Sequence, residues 1–364
     1  MFGPSGKFRW FDEWNRKRPF DLVKTALPAG ILGGAVFVAA AIVILGNPLE
    51  KEAVQTGPRG TGMVKIDAPG KLMALEAVNI LPPSDAPWPV EEGAMLAGEA
   101  YENVQVLGHL TVDNFNRVMA GITEWVAPEE GCAYCHAEDG FASDDVYTKT
   151  VARRMIEMTW ALNQDWEVHT APTGVTCYTC HRGNNVPPYL WTKLPPVNET
   201  VGPTAAFQNR GMSLTNYTSL PANAIEAYLL DGELVAVNDQ APRVDNAGLP
   251  GMKETERTYA LMMHFTQSLG VNCTFCHNTR AVNDPTQLTP QWTTATMGIS
   301  MVQDVNQSWV APLAELLPEH RLGPLGDAPK VYCLTCHQGA TKPLLGQSML
   351  GDWPELVSAE PVYD

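Results

Sequence analysis

Hydrophobic and polar positions fall into three kinds of stretch along this chain. From Ala26 to Gly46, ALPAGILGGAVFVAAAIVILG, no charged residue interrupts the run, which is long enough for a helix that crosses a bilayer. From Thr111 to Val126 the apolar residues Phe115, Val118, Met119, Ile122 and Trp125 recur at helical spacing. A second amphipathic segment, Val151 to Trp166, carries Met155, Met158 and Leu162. Much of the rest is broken by proline and glycine. Pieces such as PRGTGMVKIDAPGK and LPPSDAPWP, between residue 47 and about residue 110, read as extended surface chain, and the stretch from Val186 to about Pro221 reads as a joining segment. The pattern predicts a mainly α protein with much irregular chain and little sheet.

One constant offset relates the two parts of the chain. Met119 maps to Met262, Thr123 to Thr266, and Asn163-Gln164-Asp165-Trp166 to Asn306-Gln307-Ser308-Trp309. The predicted organisation is a cytoplasmic segment (1–25), a transmembrane helix (26–46) and two pseudo-repeated halves (47–205 and 206–364). Residues 222–252 read as an insertion, and the acidic tail after Gly351 as surface.

Composition adds what fills the core. With 30 glycines and 29 prolines in 364 residues, long periodic helices are scarce, and bulky cofactors are expected to take the place of side chains. The eight cysteines supply the attachment chemistry. They form four Cys-x-x-Cys-His pentapeptides, at Cys132/Cys135/His136, Cys177/Cys180/His181, Cys273/Cys276/His277 and Cys333/Cys336/His337, with no thiol left over. Two thioethers and an adjacent axial histidine are what a c-type haem requires, so four covalently attached haem c groups are expected. Zinc pairs leave the invariable histidine unexplained, and thioredoxin-like motifs give no reason for four copies.

Charge sets the orientation. Lys7, Arg9, Arg16, Lys17, Arg18 and Lys24 outnumber Asp12, Glu13 and Asp21 ahead of the apolar stretch, which holds the N-terminus in the cytoplasm. A cleaved signal peptide is the competing reading; the length of the apolar run and the lack of a small-x-small site favour a retained anchor. No cysteine precedes Cys132 to carry a lipid. Phe8, Trp10, Phe11 and Trp14 are candidates for the inner membrane interface. Beyond residue 25 there are 18 basic and 37 acidic side chains, a net charge of −19. That excludes nucleic acid as a natural partner and suits either solubility or the steering of a basic soluble protein.

Each pentapeptide leaves the far face of its iron to another residue, and methionine suits an electron carrier because it raises the potential. Met119 and Met262 occupy equivalent places, on the helical segments ahead of Cys132 and Cys273, which picks Met262 over Met263. Met155 stands on the segment ahead of Cys177, with Met158 as its rival. The offset carries Met155 to Gly298, so the fourth site lacks a methionine there. His169, outside every pentapeptide, is the candidate replacement, the alternative being a histidine bonded to a haem propionate. His264 and His320 are weaker candidates, and His109 reads as a surface or hydrogen-bonded histidine.

With these residues the stretch from about Thr111 to Pro343 resembles the tetrahaem cytochrome c subunit of the photosynthetic reaction centre of purple bacteria. The resemblance implies axial pairs Met119 with His136, Met155 with His181, Met262 with His277, and His169 with His337. It also implies a roughly linear haem row with the third haem nearest the special pair and the first at the far end. The implied role is outer-sphere electron transfer, not catalysis. A soluble periplasmic donor, a cytochrome c or a high-potential iron–sulfur protein, passes electrons through the row to the photo-oxidised special pair on the L and M subunits. The implied location is the inner, photosynthetic membrane, single-pass, with the haem region periplasmic. A multihaem quinol dehydrogenase or terminal reductase is the alternative, and it requires an open sixth position that the ligand inventory does not leave.

Overall fold

The computed structural model describes residues 9–18, 21–46, 51–138, 140–195, 207–210, 219–237, 251–282 and 284–363. The chain divides into two units, residues 1–52 with 67–70 and residues 53–66 with 71–364.

In the first unit, α1 (Arg9–Arg16) precedes a π-helical turn (Leu22–Ala26) that runs directly into α2 (Leu27–Gly46). Asp21 caps that turn. Its Oδ1 accepts from the Val23 and Lys24 amides at 2.9 and 3.0 Å and from Asn15 Nδ2 at 2.8 Å, satisfying donors that a helix start leaves open. The apolar run Leu22–Leu45 spans 24 residues, about 36 Å of helix, and its side chains stay exposed, Leu45 at 85%. A helix apolar on every side must be covered by protein or by lipid. Phe11 lies between Trp10 and Trp14, ring centroids 5.9 and 5.7 Å apart; Phe8 falls outside the described residues.

The larger unit is mostly helical. The pairing of β1 (Glu52–Gln55) with β2 (Val64–Asp67) is the one sheet among the described residues. The piece PRGTGMVKIDAPGK, expected as extended chain, contains β2 and leads into α3 (Pro69–Ala77). The principal helices are α4 (Val112–Val126), α5 (Tyr147–Gln164), α6 (Cys177–His181), α7 (Ala224–Leu229), α8 (Met252–Leu269), α9 (Pro290–Asp304) and α10 (Cys333–His337). Of the expected join and insertion, residues 196–206, 211–218 and 238–250 lie outside the described residues, and the described part of the insertion contains the short helix α7.

Thr111 starts α4 by accepting the Asn114 amide. One face, Asn114, Val118, Gly121 and Trp125, is buried, and the other carries Phe115, Met119 and Ile122, partly buried. The apolar interior is divided into three clusters. One joins Val118 and Trp125 of α4, Ile156 of α5 and Trp353 and Leu356. A second gathers α7 with Leu261, Val302 and Tyr332. The third is Leu162, Val175, Val305 and Val310.

The acidic tail is not surface chain along its whole length: residues 353–356 are buried, while Ala359, Glu360 and Val362 are exposed as expected. Trp353 packs edge-on against Trp125 at 4.5 Å, and Glu355 is fully buried, held by both carboxylate oxygens on Arg117 Nη2 at 2.8 and 2.7 Å. The Glu355 and Leu356 carbonyls accept from Trp160 Nε1 and Asn163 Nδ2, each at 2.8 Å. Apolar burial of the Trp-Pro-Glu-Leu stretch and the paired guanidinium outweigh the tail's acidic composition.

Candidate cofactor-binding site

The four pentapeptides adopt two conformations. The first and third lie in 3₁₀ turns, Gly131–Tyr134 and Cys273–Phe275. Behind them Thr148 donates to the Tyr134 carbonyl and Thr289 to the Phe275 carbonyl at 3.0 Å. The second and fourth form the one-turn helices α6 and α10, each stopped by a left-handed residue, Arg182 (φ 47°) and Gln338 (φ 49°).

Both short helices are anchored alike. Asn163 exchanges two hydrogen bonds with the Val175 backbone at 2.8 Å, and Asn306 does the same with Val331 at 2.9 Å. The next glycines donate to the ends of α4 and α8, Gly183 to the Trp125 carbonyl and Gly339 to the Ser268 carbonyl, both at 2.8 Å. Gly270 must be glycine here, since its φ is +64° and a Cβ would meet the Gly339 carbonyl oxygen at 2.2 Å.

Every pentapeptide histidine has its Nδ1 on a backbone carbonyl: His136 on Phe141 at 3.2 Å, His181 on Asn184 at 2.9 Å, His277 on Val282 at 2.8 Å and His337 on Ala340 at 3.1 Å. A carbonyl only accepts, so Nδ1 carries the proton and Nε2 keeps its lone pair. That is the tautomer an iron needs, oriented by the second-shell bond that metal-ligating histidines make. Burial favours the neutral ring further. It lowers the pKa of His136 and His181, and together with the nearby His169 it holds His337 down to about 4.

His169 joins this set. It lies in a helical turn, Glu167–Thr170, just after α5, and its Nδ1 is 3.0 Å from the Thr294 carbonyl on α9. Its ring centroid is 6.1 Å from that of His337, the planes at 70°. Two metal–imidazole bonds of about 2 Å, with the offset from nitrogen to ring centre, separate two such rings by about 6 Å. The separation of the His169 and His337 rings matches that spacing. His264 is unlike this set: fully buried, it stacks on Tyr332 at 4.7 Å, with the Ser268 hydroxyl beside both ring nitrogens. His109 is exposed beside Trp160, centroids 6.3 Å apart.

Around the first pentapeptide the chain leaves a cavity of about 710 Å³ whose lining includes Phe115, Met119, Cys132, Cys135, His136 and Ile156. Thioether, thiols and imidazole meet in one apolar chamber, with Lys149 and Arg153 also on its wall. Met119, Met155 and Met262 each stand one helical turn ahead of a threonine that donates to the methionine's own carbonyl, Thr123 and Thr159 at 2.8 Å and Thr266 at 3.1 Å. Met158 and Met263 have Leu162 and Gln267 at that spacing, and Met158 packs into the Leu162–Val175 cluster. The Met-x-x-x-Thr spacing is readable in the sequence, and Met119 and Met262, like Met158, also pack against apolar clusters.

Cys180 Sγ lies 3.0 Å from Cys336 Sγ, so the second and fourth attachment sites are side by side. Beside them Arg182 has Nε and Nη2 buried without a hydrogen-bond partner among the described residues, donors suited to a haem propionate. Burial pushes the Cys177 and Cys333 thiols up to about 12 and Cys276 up to about 11, while the hydrogen bond with Cys180 lowers Cys336. Among the described residues no three His, Cys, Asp or Glu side chains are grouped to hold a bare ion, which speaks against zinc.

Paired thiols, a carbonyl-oriented imidazole beside them and an apolar chamber define a c-type cytochrome, whose haem is bound covalently. Residues 46–357 match the family described as Photosynthetic reaction centre cytochrome C subunit. Proteins named photosynthetic reaction center cytochrome c subunit align along most of the chain. That of Roseobacter denitrificans is 49% identical over 98% of this chain and 99% of its own length. That of Thermochromatium tepidum is 45% identical over 88% and 79%, and that of Rubrivivax gelatinosus 43% over 92% and 91%. The chain belongs to this family of reaction centre cytochrome subunits.

Proposed function

We propose that this chain is a membrane-anchored tetrahaem carrier that takes electrons from a soluble periplasmic donor, a cytochrome c or a high-potential iron–sulfur protein, and delivers them to the special pair on the L and M subunits of a photosynthetic reaction centre. Haem iron, cycling between ferric and ferrous, supplies the one-electron chemistry. The residues hold it in place and close it off. Cys132/Cys135, Cys177/Cys180, Cys273/Cys276 and Cys333/Cys336 attach the four porphyrins. The axial pairs are His136 with Met119, His181 with Met155, His277 with Met262, and His337 with His169.

The observation that carries this reading is the shared geometry of five imidazoles, each with Nδ1 fixed on a carbonyl and Nε2 free. With a second ligand opposite each, no position remains for a substrate to bind, which favours a carrier over a quinol dehydrogenase or a reductase. The mirrored bonds of Asn163 and Asn306, and of Gly183 and Gly339, support two haem-pair halves, 47–205 and 206–364. The close approach of Cys180 to Cys336 supports a row ordered first, second, fourth, third. The exposed apolar helix α2 and the basic residues before it support a single-pass anchor in the photosynthetic inner membrane, with residues 1–25 cytoplasmic and the larger unit periplasmic.

A flash experiment on native membranes tests the role. Light oxidises this cytochrome within microseconds to milliseconds if it feeds the special pair; an unchanged c-type absorbance after the flash overturns the assignment.

A further inference from the structure

We infer that Gly298 selects the ligand of the fourth site: a helix position without a side chain admits the His169 imidazole where a methionine would otherwise stand. The inference rests on the axial set proposed above and asks what makes one site His/His among three His/Met sites.

Gly298 lies buried inside α9, at a helical φ, so its backbone conformation gives no reason for glycine. In a helix interior glycine is among the least favourable residues. The reason is the neighbour. A Cβ at this position would lie 2.6 Å from His169 Cε1 and 3.2 Å from both His169 ring nitrogens, closer than an imidazole tolerates.

The ring cannot simply step aside. One turn earlier on the same helix, the Thr294 carbonyl holds His169 Nδ1 at 3.0 Å. Toward the helix end, Trp166 Nε1 donates to Asp304 Oδ2 at 3.0 Å, so the turn carrying His169 is fastened to α9 on both sides of Gly298. The residue is also the counterpart of Met155 under the offset that pairs Met119 with Met262. A methionine there and an imidazole from residue 169 exclude each other, and the glycine decides for the imidazole. Because a methionine ligand raises a haem potential relative to histidine, the same position sets the fourth site apart in potential.

Three variants of the full-length, haem-loaded protein test this: Gly298→Ala, His169→Gly, and the double variant His169→Gly with Gly298→Met. Each is read by low-temperature electron paramagnetic resonance, thioether-to-iron charge-transfer absorbance and redox titration, with haem content as control. Wild type is expected to show one His/His and three His/Met sites, and His169→Gly to lose the His/His signal. Gly298→Ala is expected to lose that signal as well, with three His/Met sites unchanged. In the double variant the vacated space admits the thioether, the charge-transfer absorbance rises by about a third as three such sites become four, and the fourth potential moves upward.

A His/His signal that survives Gly298→Ala, or a double variant that gains no fourth thioether, overturns the role of Gly298 and leaves the ligand set standing. Wild type without a His/His site, or His169→Gly with the signal intact, overturns the ligand set and this inference with it. Should Gly298→Ala not accumulate, the double variant, freed of the crowding, decides the question.

Discussion

At the scale of single residues, the chemistry rests on small backbone arrangements around each side chain. Replacing Met119, Met155 or Met262 by alanine is expected to abolish one His/Met signature apiece and leave four haems attached, as charge-transfer absorbance and haem content will show; an unaltered spectrum in any one removes that methionine from the set. Buried charge matters as much as ligation. Arg117 and Glu355 are almost wholly enclosed, and Arg117 also lies 4.2 Å over the Trp353 ring. Leaving one of them unpaired by Glu355→Ala is expected to cost about 3–5 kcal/mol in denaturant unfolding, and a change under about 1 kcal/mol would show the pair to be solvated. Of these residues the cysteines and their histidines were plain in the sequence, because attachment needs them consecutively. The carbonyls under each Nδ1 were not, since a backbone atom has no letter. Gly298 and His169 stand far apart along the chain, and only the folded chain shows them side by side.

At the scale of elements, helical periodicity located α4 and α5 closely: Thr111–Val126 was expected and Val112–Val126 found, and Val151–Trp166 became Tyr147–Gln164. Such segments are legible because burial of one face repeats every turn. The final segment was misread because Asp352, Glu355 and Glu360 dominate its composition, while Trp353 and Leu356 supply its packing. Two asparagines link elements in the same manner. Asn163 makes three backbone hydrogen bonds across α5, Val175 and Leu356; Asn306 makes three across Leu229 and Val331. Asn163→Ala or Asn306→Ala is expected to destabilise by about 2–4 kcal/mol in guanidinium titrations, since buried backbone groups lose their partners. At the other end, exchanging residues 1–46 for a cleavable export signal, in cells lacking the L and M subunits, should move the protein from membrane to soluble fraction; retention on washed membranes would argue against α2 as anchor.

For the molecule as a whole, the division of the apolar interior into three clusters is the feature sequence foresaw only as an excess of proline and glycine. A chain of this length ordinarily builds a contiguous core; here Cys177 packs against one cluster and Cys333 against another. The connections that close the structure are also long in sequence. Arg117 reaches Glu355 across 238 residues and Trp160 reaches the same residue across 195. A chain made from its N-terminus therefore delivers α4 and α5 long before the residues that seal them. Until residues 353–356 emerge, the Trp125–Trp353 edge contact and the Arg117–Glu355 pair are both missing, so a ribosome that stops short by those few codons leaves the defect at the opposite end of the polypeptide.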